Sequence, residues 1–366
     1  MDILSGNELK SLMRQQLGIC VSIYMPTIRK GTAIQQNQIR YKNLLRDAQD
    51  RLTASGELRP SEIREMLAPA QELLGNTPFW NNQSDGLALF LTPESFRYYR
   101  LPQSFEELVV IADRFHIKPL IPILVSDTEF SVLAISQKDV RFMRCSSQRV
   151  KEIEIPEIPE NIDKALNLDD FEKRLQRHTG TADMKANILQ YFKMVDKGLR
   201  DLLREKRFPL IFAGVDYLFP LYQEANTYTY LTDTWISGNP DGLTAEKLRD
   251  LARPIIEELF ETKRDDALAL YNQNAGTGLT SNNLAEIVRE AHHGRVGTLF
   301  IPVGTQHWGT FDPATDTVTL AKGAEAGNED LLDLAAIQTI LNSGTVYPMN
   351  QDEMPGSAPV AALFRY

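Results

Sequence analysis

The sequence predicts a mixed α/β protein (α/β or α+β) with three domains, each a mixed sheet packed with helices. The chain of 366 residues is longer than one typical hydrophobic core supports, so two or three domains are expected. Short apolar runs of strand length alternate with segments of helical periodicity in the last two thirds, which is typical of such domains. Breakers and polar residues near position 126, and a new helical pattern near position 248, predict domains at 1–126, 127–247 and 248–366.

The first domain begins with a buried-strand pattern at 20–25, which ends at Pro26 because proline cannot donate to a strand ladder. A polar, glutamine-rich loop is predicted at 27–38. A helix is predicted at 39–52, since apolar residues recur there at helical spacing. The remaining predicted elements are a helix at 61–74 and strands at 86–91, 96–100 and 108–111.

The second and third domains alternate strands and helices. The runs 130–136 and 140–145 predict a β-hairpin with its turn at 137–139. An apolar run at 209–214 that ends in glycine predicts a buried strand. In the third domain the first helix is predicted to start at Pro254, a favoured first helical residue. The elements predicted there are helices at 254–271, 284–291 and 329–341 and strands at 296–303 and 360–364.

The composition, with 43% hydrophobic and 24% charged residues, is that of a soluble globular protein. The first residues lack the basic and apolar regions of a signal peptide, and no apolar stretch approaches the roughly 18 residues that span a bilayer. Cys20 and Cys145 lie in strand-like runs and give neither a disulfide framework nor a metal-ligand spacing. We therefore expect a cytoplasmic protein without a cofactor.

One basic segment runs against the formal net charge of −10: positions 173–207 hold ten Lys or Arg and four Asp or Glu. Lys193, Lys197, Arg200 and Arg204 recur at i, i+4, i+7 and i+11, which is one face of a helix. A separate apolar face of this helix is formed by Ile188, Phe192, Val195, Leu199 and Leu202. A one-sided basic helix on an acidic protein favours contact with a polyanion, and Lys185 in the same segment is assigned to that surface. The alternative is a solvated helix whose lysines only aid solubility.

A second basic segment lies near the N-terminus and consists of Arg29, Lys30, Arg40, Lys42 and Arg46. It follows the first predicted strand and covers the first half of the next predicted helix. Cations near a helix N-terminus oppose the macrodipole, so helix stability does not explain them. We predict that both segments contact RNA, with an ordinary charged surface as the alternative.

Other titratable residues suggest no catalytic or metal site. His292 and His293 are adjacent and lack the i, i+4 spacing of a helical zinc site, and His116 is predicted to be a half-buried linker residue. The acids near the strands of the second domain have no recognisable spacing for a two-metal nuclease; they are Glu129, Asp139 and Asp216. Positions 309–366 carry eight acidic and two basic residues, which suits solvent or a protein partner better than RNA phosphates.

Short motifs spread over almost the whole chain carry a resemblance to a known family. The first domain contains Ser22-Ile23-Tyr24-Met25-Pro26-Thr27, and further motifs lie at 39–45, 79–80 and 83–88. The second domain contributes the motifs at 133–136 and 140–141, and the third those at 294–299 and 361–366. In this order they resemble the archaeal and eukaryotic peptide-release factors and Pelota. The resemblance is closest to the bacterial homologues, which are related to ribosome hibernation factors of the Balon type.

The resemblance implies the three-domain release-factor and Pelota architecture and a placement on the ribosome. The first domain would face the small-subunit decoding centre, and the middle domain would reach the peptidyl-transferase centre. The third domain would contact the stalk base or a translational GTPase such as elongation factor Tu. The implied partners are therefore the ribosome, through the rRNA of both subunits, and such a GTPase.

The sequence departs from this family at the residues that carry its chemistry. Release factors of the family hydrolyse peptidyl-tRNA with a Gly-Gly-Gln tip, whereas the corresponding tip loop of this chain is His178-Thr179-Gly180-Thr181-Ala182. The Asn-Ile-Lys-Ser motif of eukaryotic stop-codon reading is also absent. We therefore predict a non-catalytic, ribosome-binding translation factor that occupies the A site in hibernation or rescue. The alternatives are an active peptidyl-tRNA hydrolase or release factor, an RNA-cleaving nuclease, and a protein adaptor that does not contact RNA.

Overall fold

The computed structural model describes residues 4, 6–14, 16–29, 34–126, 129–136, 139–147, 149–155, 158, 181–204, 208–324 and 327–366. These residues form two compact units, one of Met1–Val125 with Asp266–Tyr366 and one of Ser126–Asp265. Both units contain sheets covered by helices, so the predicted mixed α/β class is confirmed. The division into three domains remains a prediction.

Helices and strands are numbered in chain order over the described residues. The helices are α1 Gly6–Arg14, α2 Ile34–Ser55, α3 Pro60–Glu72, α4 Thr77–Asn81, α5 Ile121–Ser126, α6 Thr181–Leu203, α7 Phe219–Ala225, α8 Ala245–Gln273, α9 Leu284–His292 and α10 Leu331–Leu341. The strands of the first half are β1 Gln16–Pro26, β2 Gly86–Thr92, β3 Ser95–Leu101, β4 Leu108–Arg114, β5 Phe130–Ile135, β6 Val140–Cys145, β7 Val150–Ile153 and β8 Leu210–Gly214. Those of the second half are β9 Ile236–Ser237, β10 Thr280–Ser281, β11 Val296–Pro302, β12 Trp308–Asp312, β13 Thr317–Leu320, β14 Glu329–Asp330, β15 Thr345–Met349 and β16 Ala361–Phe364.

The N-terminal sheet has the strand order β3-β2-β1-β4 and is antiparallel throughout. Alternate side chains of a strand point to opposite faces, so β1 contributes to two cores. Val21, Ile23 and Met25 pack with residues of α2, α3 and α4. Cys20 and Tyr24 lie on the other face, in a core that also contains residues of α1 and α10.

The C-terminal residues of the same unit form two further sheets. One has the order β10-β16-β11-β15, with β11 and β15 parallel, and the other has the order β13-β12-β14. Helices α9 and α10 cover the larger sheet, and nearly all of α10 is buried. This explains why α10 has no polar face to mark its orientation in the sequence.

The second unit is a five-stranded sheet with the order β7-β6-β5-β8-β9. Strands β5, β8 and β9 are parallel to one another, and β5, β6 and β7 are joined as antiparallel neighbours. Helices α6 and α7 pack on one face of the sheet. Leu248, Ala252 and Ile256 of α8 pack on the other face.

Several predicted boundaries are wrong. Helix α2 begins at Ile34, inside the segment predicted as a loop, because Asn37 is buried and fastens this turn to the chain before it. The Asn37 side chain accepts from the backbone N–H of Ile28 and donates to its carbonyl, both at 3.0 Å. Helix α8 begins at Ala245, so Pro254 lies inside it. Pro254 is exposed, where water can satisfy the carbonyl that lacks its helical partner.

A buried polar network joins the end of β4 to β14 and α10 within the first unit. The carboxylate of Asp333 accepts from the backbone N–H groups of Ile117 at 2.8 Å and Lys118 at 2.5 Å. The ammonium of Lys118 donates to Asp330, and both side chains are almost fully buried. His116 is 2% exposed, so the prediction of a half-buried residue is wrong. Its Nδ1 lies 3.6 Å from Asp333 Oδ2.

Among the helices that the structure describes, none is both long enough and apolar enough to cross a lipid bilayer.

Candidate nucleic-acid interface

Helix α6 presents the predicted basic stripe to solvent. Lys193, Lys197, Arg200 and Arg204 are all exposed. The opposite face is fastened to the sheet by apolar side chains that are at most 4% exposed, namely Ile188, Tyr191, Phe192, Val195, Leu199 and Leu203. Leu203, rather than the predicted Leu202, is the fully buried residue of the last turn; Leu202 is half-buried. The orientation of the helix is thus set by burial of its apolar face.

Three of the four cations of the stripe are not neutralised by a carboxylate of the described structure and can bind a ligand. Within the part of the chain that the structure describes, no carboxylate forms an ion pair with Lys193, Lys197 or Arg204. Arg200 Nη2 lies 3.8 Å from Asp196 Oδ2, and the arginine side chain is 61% exposed. An exposed pair of this length is weak, so the guanidinium stays accessible to a ligand.

Asp196 is occupied by other partners. Its carboxylate accepts from the backbone N–H of Thr227 at 2.9 Å and from the Thr227 hydroxyl at 2.7 Å. The Asp196 side chain is only 7% exposed. The role of Asp196 is therefore to hold the segment after α7 against α6, rather than to neutralise the stripe.

The other predicted residues of this segment are less clear candidates. Lys185 lies 3.6 Å from Glu224 of α7, and both side chains are more than half exposed. His178, Thr179 and Gly180 of the predicted tip loop lie outside the described residues. Thr181 begins α6, and its side chain is also outside the description.

Carboxylates pair closely with two cations of the N-terminal basic segment and weakly with a third. Arg29 Nη2 lies 2.5 Å from Asp85, Arg40 Nε lies 2.8 Å from Glu107, and Arg46 Nε lies 3.8 Å from Asp50. Lys42 is exposed and has no ion pair among the residues described, while Lys30 lies outside them. The number of free cations in this segment is therefore smaller than the sequence suggests.

The hairpin of β6 and β7 adds cations that the sequence analysis missed. Arg144 of β6 and Lys151 of β7 are directly opposite each other in the ladder. The guanidinium of Arg144 donates to the carbonyl of Leu202 in the last turn of α6 at 3.2 Å. These two cations therefore lie on the α6 side of the sheet, near the end of the stripe. The mixed apolar and basic run at 140–145 was the available signal for Arg144.

The three carboxylates considered for a nuclease do not all lie at one end of the sheet, although Asp139 and Asp216 both follow parallel strands. Glu129 immediately precedes β5, whereas Asp139 lies beyond the other end of that strand. Asp216 follows β8 and accepts from the indole N–H of Trp235 at 3.2 Å. In the described ranges no group of three or more His, Cys, Asp or Glu side chains is arranged to hold a metal ion.

Comparison with known families identifies the class of protein that the middle part of this chain resembles. Residues 129–295 match the model of bacterial archaeo-eukaryotic release factor family 3. The predicted resemblance is thereby confirmed, over a range that includes the whole of α6 and the hairpin of β6 and β7. This family is related to ribosome-binding translation factors.

Solved structures with similar folds include three translation proteins. One is an archaeal Pelota, from a model of ribosome-bound Pelota and ABCE1. It is 11% identical to this chain with a TM-score of 0.42, and the match covers 98% of this chain and 94% of that chain. A Saccharomyces cerevisiae translation termination-like factor is 10% identical, with a TM-score of 0.38 and coverage of 74% and 73%. An archaeal translation termination factor is 15% identical, with a TM-score of 0.24 and coverage of 99% of both chains. No curated protein matches this sequence.

Proposed function

We propose that this protein binds the ribosome through rRNA and occupies the A site, in hibernation or rescue, without releasing the nascent peptide. The observation that carries the proposal is the stripe of Lys193, Lys197, Arg200 and Arg204. It is exposed along one helix of a chain with a formal net charge of −10. The match to a release-factor family over the same residues supports RNA of the translation machinery as the polyanion.

Electrostatics support phosphate as the group that the stripe contacts. Cations spaced by three or four residues on a helix lie about 5–6 Å apart, so the four side chains form a continuous row. Each neutralised phosphate releases condensed counterions, which makes binding strong at low salt and steeply salt-dependent. A stripe that only aided solubility would have no such dependence.

The absence of release chemistry is proposed from the sequence of the tip loop. The segment His178-Thr179-Gly180-Thr181-Ala182 has no glutamine and one glycine, whereas the family's release factors use Gly-Gly-Gln. Hydroxyl groups without an activating base are poor nucleophiles and poor water activators. Delivery by a translational GTPase such as elongation factor Tu is a further part of the proposal, and it rests on the family resemblance alone.

Co-sedimentation with purified bacterial ribosomes over a series of KCl concentrations tests the RNA contact. The variant replaces Lys193, Lys197, Arg200 and Arg204 with Glu. We expect weaker binding and a shallower plot of log affinity against log salt, by roughly one unit for each lost phosphate contact. The buried face of α6 is unchanged, so the fold should persist and is checked by circular dichroism.

A charge-matched control separates the stripe from the effect of net charge. Four exposed cations elsewhere in the described structure, also replaced with Glu, change the charge by the same amount; they are Lys10, Arg64, Lys247 and Lys322. This control should keep most of the wild-type affinity. Equal losses in the two folded variants, or no loss in the stripe variant, would contradict the proposed interface.

A further inference from the structure

The β6–β7 hairpin places like charges opposite each other on the face that adjoins α6. Arg144 pairs in register with Lys151, and directly opposite residues project on the same face of the sheet. Phe142 lies two residues before Arg144 and packs in the core beneath α6, so this face is the α6 face. Opposite like charges destabilise a sheet unless an anion separates them.

On the other face of the same two strands, a basic side chain is paired with an acidic one. Arg141 donates to both carboxylate oxygens of Glu152, at 2.7 and 3.2 Å. This contact raises the pKa of the Arg141 guanidinium, mainly through the hydrogen bond. One face of the hairpin therefore carries a neutralised pair, whereas on the α6 face the described residues provide no carboxylate partner for Arg144 or Lys151.

Contacts within the described structure explain the positive charge of Arg144, but they do not explain the charges of Arg149 and Lys151. Arg144 hydrogen-bonds to the carbonyl of Leu202, and a cation is favourable near the C-terminus of a helix. Lys151 and Arg149 are exposed and have no hydrogen bond or ion pair from their side chains within the described residues. The backbone carbonyl of Arg149 accepts from Ser146 N–H at 2.8 Å, which holds the turn that carries it. The stability of this hairpin gives no reason for these two charges.

The geometry points to a phosphate-binding surface on Arg149 and Lys151, at the edge strand β7, that continues the α6 stripe onto the sheet. The inference rests on the proposed function and extends it to a second element. Arg144 contacts α6 between Arg200 and Arg204, so the end of the stripe adjoins the hairpin. The occupant is an RNA backbone, because a row of cations from a helix and a sheet edge matches a linear polyanion. Among the described residues, exposed acids in the neighbouring segments of the chain include Glu129, Glu154 and Asp201.

The test uses the variant Arg149→Gln with Lys151→Gln and leaves Arg144 in place. Full-length protein is titrated against purified bacterial ribosomes and against deproteinised ribosomal RNA over a KCl series. We expect the salt slope to fall by about two units for both probes, one for each lost phosphate contact. The variant Lys151→Gln alone should lower the slope by about one unit, whereas Lys247→Gln, on α8, should leave it unchanged.

A stability measurement shows that the effect is not structural. Removal of Lys151 relieves its repulsion with Arg144, so the melting temperature of the free protein should stay the same or rise while RNA binding weakens. A drop in melting temperature together with the binding loss would overturn the assignment. An unchanged slope in the folded double variant would overturn it as well.

Comparison with the α6 variants separates this inference from the proposed function. If the stripe variant loses binding and the hairpin variant does not, the hairpin surface is wrong and the stripe stands. If the hairpin variant alone loses binding, the surface stands and the stripe is wrong. A loss on ribosomes with wild-type binding to deproteinised RNA would indicate a ribosomal protein at this edge, and it would overturn the phosphate assignment.

Discussion

Glu329 is an example of a single residue whose chemistry depends on its surroundings. Its side chain is 17% exposed, and its Oε2 lies 2.9 Å from Arg114 Nε. Burial raises the pKa of Glu329 to about 7, while Arg114 lowers it and the carboxylates of Asp333, Asp113 and Asp330 raise it further. The residue also lines a cleft of about 270 Å³ with Arg51, Asp113 and Trp308.

The first prediction concerns the pH dependence of stability at this residue. The pKa of Glu329 is higher in the folded state than in the unfolded state, so the bound proton stabilises the fold. This contribution is fully present below the pKa of the unfolded state, near 4.5, and it is lost as the pH rises through the folded-state pKa of about 7. Glu329→Gln cannot titrate. From pH 5 to 8 the wild type should therefore lose stability relative to this variant, by at most about 3 kcal/mol.

Urea denaturation at several pH values measures this difference. Glu94→Gln is the control, because Glu94 is exposed in the turn between β2 and β3. It should follow the wild-type pH profile. If the stability of the wild type and that of Glu329→Gln changed with pH in parallel, the pKa of the Glu329 carboxyl would be the same in the folded and unfolded states, and the prediction would be wrong.

At the scale of the element, the two basic segments differ although their sequences look similar. The stripe of α6 has no close carboxylate partner among the described residues, whereas Arg29 and Arg40 each have one, at 2.5 and 2.8 Å. Asp85 and Glu107 are more than fifty residues from their arginine partners. Binding of phosphate by Arg29 or Arg40 would require release of an existing ion pair.

The second prediction follows from this difference. Replacement of Arg29, Lys30, Arg40 and Lys42 with Ala should reduce affinity for isolated small ribosomal subunits, but less steeply than the stripe variant reduces affinity for whole ribosomes. Lys42→Ala should account for more of the loss than Arg29→Ala or Arg40→Ala, because Lys42 has no competing carboxylate in the described structure. Filter binding over a salt series measures each slope.

The stripe variant is the control for the small-subunit measurement, since the stripe is proposed to contact a different part of the ribosome. It should keep its affinity for isolated small subunits. Loss of that affinity by both variants to the same degree would contradict two separate contacts.

At the scale of the whole molecule, the motifs that carry the family resemblance are structural. Thr27 donates from its backbone N–H to the carbonyl of Asp85 at 2.8 Å and from its hydroxyl to that of Ser84 at 2.9 Å. The rings of Tyr41 and Trp80 meet edge to face with centroids 5.1 Å apart. The motifs at 294–299 and 361–366 contribute the paired strands β11 and β16. These residues help to specify the fold, and they carry no information about the chemistry of the tip loop at 178–182.

The last prediction therefore concerns chemistry on the ribosome. The purified protein should not release peptide from peptidyl-tRNA on programmed ribosomes at any A-site codon, because its tip loop lacks the glutamine of the Gly-Gly-Gln motif. Single-turnover hydrolysis of a labelled peptidyl-tRNA is the measurement, with a Gly-Gly-Gln release factor as positive control. A rate well above background that disappears in His178→Ala would show that this loop is catalytic.

The sequence alone predicted many of the described helices and strands, the two faces of α6 and the family resemblance, although elements such as α1, β12 and β13 were not predicted. These are local properties, since the period of a helix or strand and the order of short motifs require no knowledge of distant contacts. The hairpin of β5 and β6, the strand β8 and the basic face of α6 were predicted correctly for this reason. Boundaries failed where a distant or buried contact decided them, as with Asn37 at the start of α2.

Tertiary structure alone decided which charges are neutralised and which remain free. Arg29 meets Asp85 across 56 positions of sequence, and Lys118 meets Asp330 across 212. The opposition of Arg144 and Lys151 follows from the register of two strands, and the raised pKa of Glu329 follows from its burial among other carboxylates. Electrostatic energy depends on distance in space and on removal from water, and neither is a property of position along the chain.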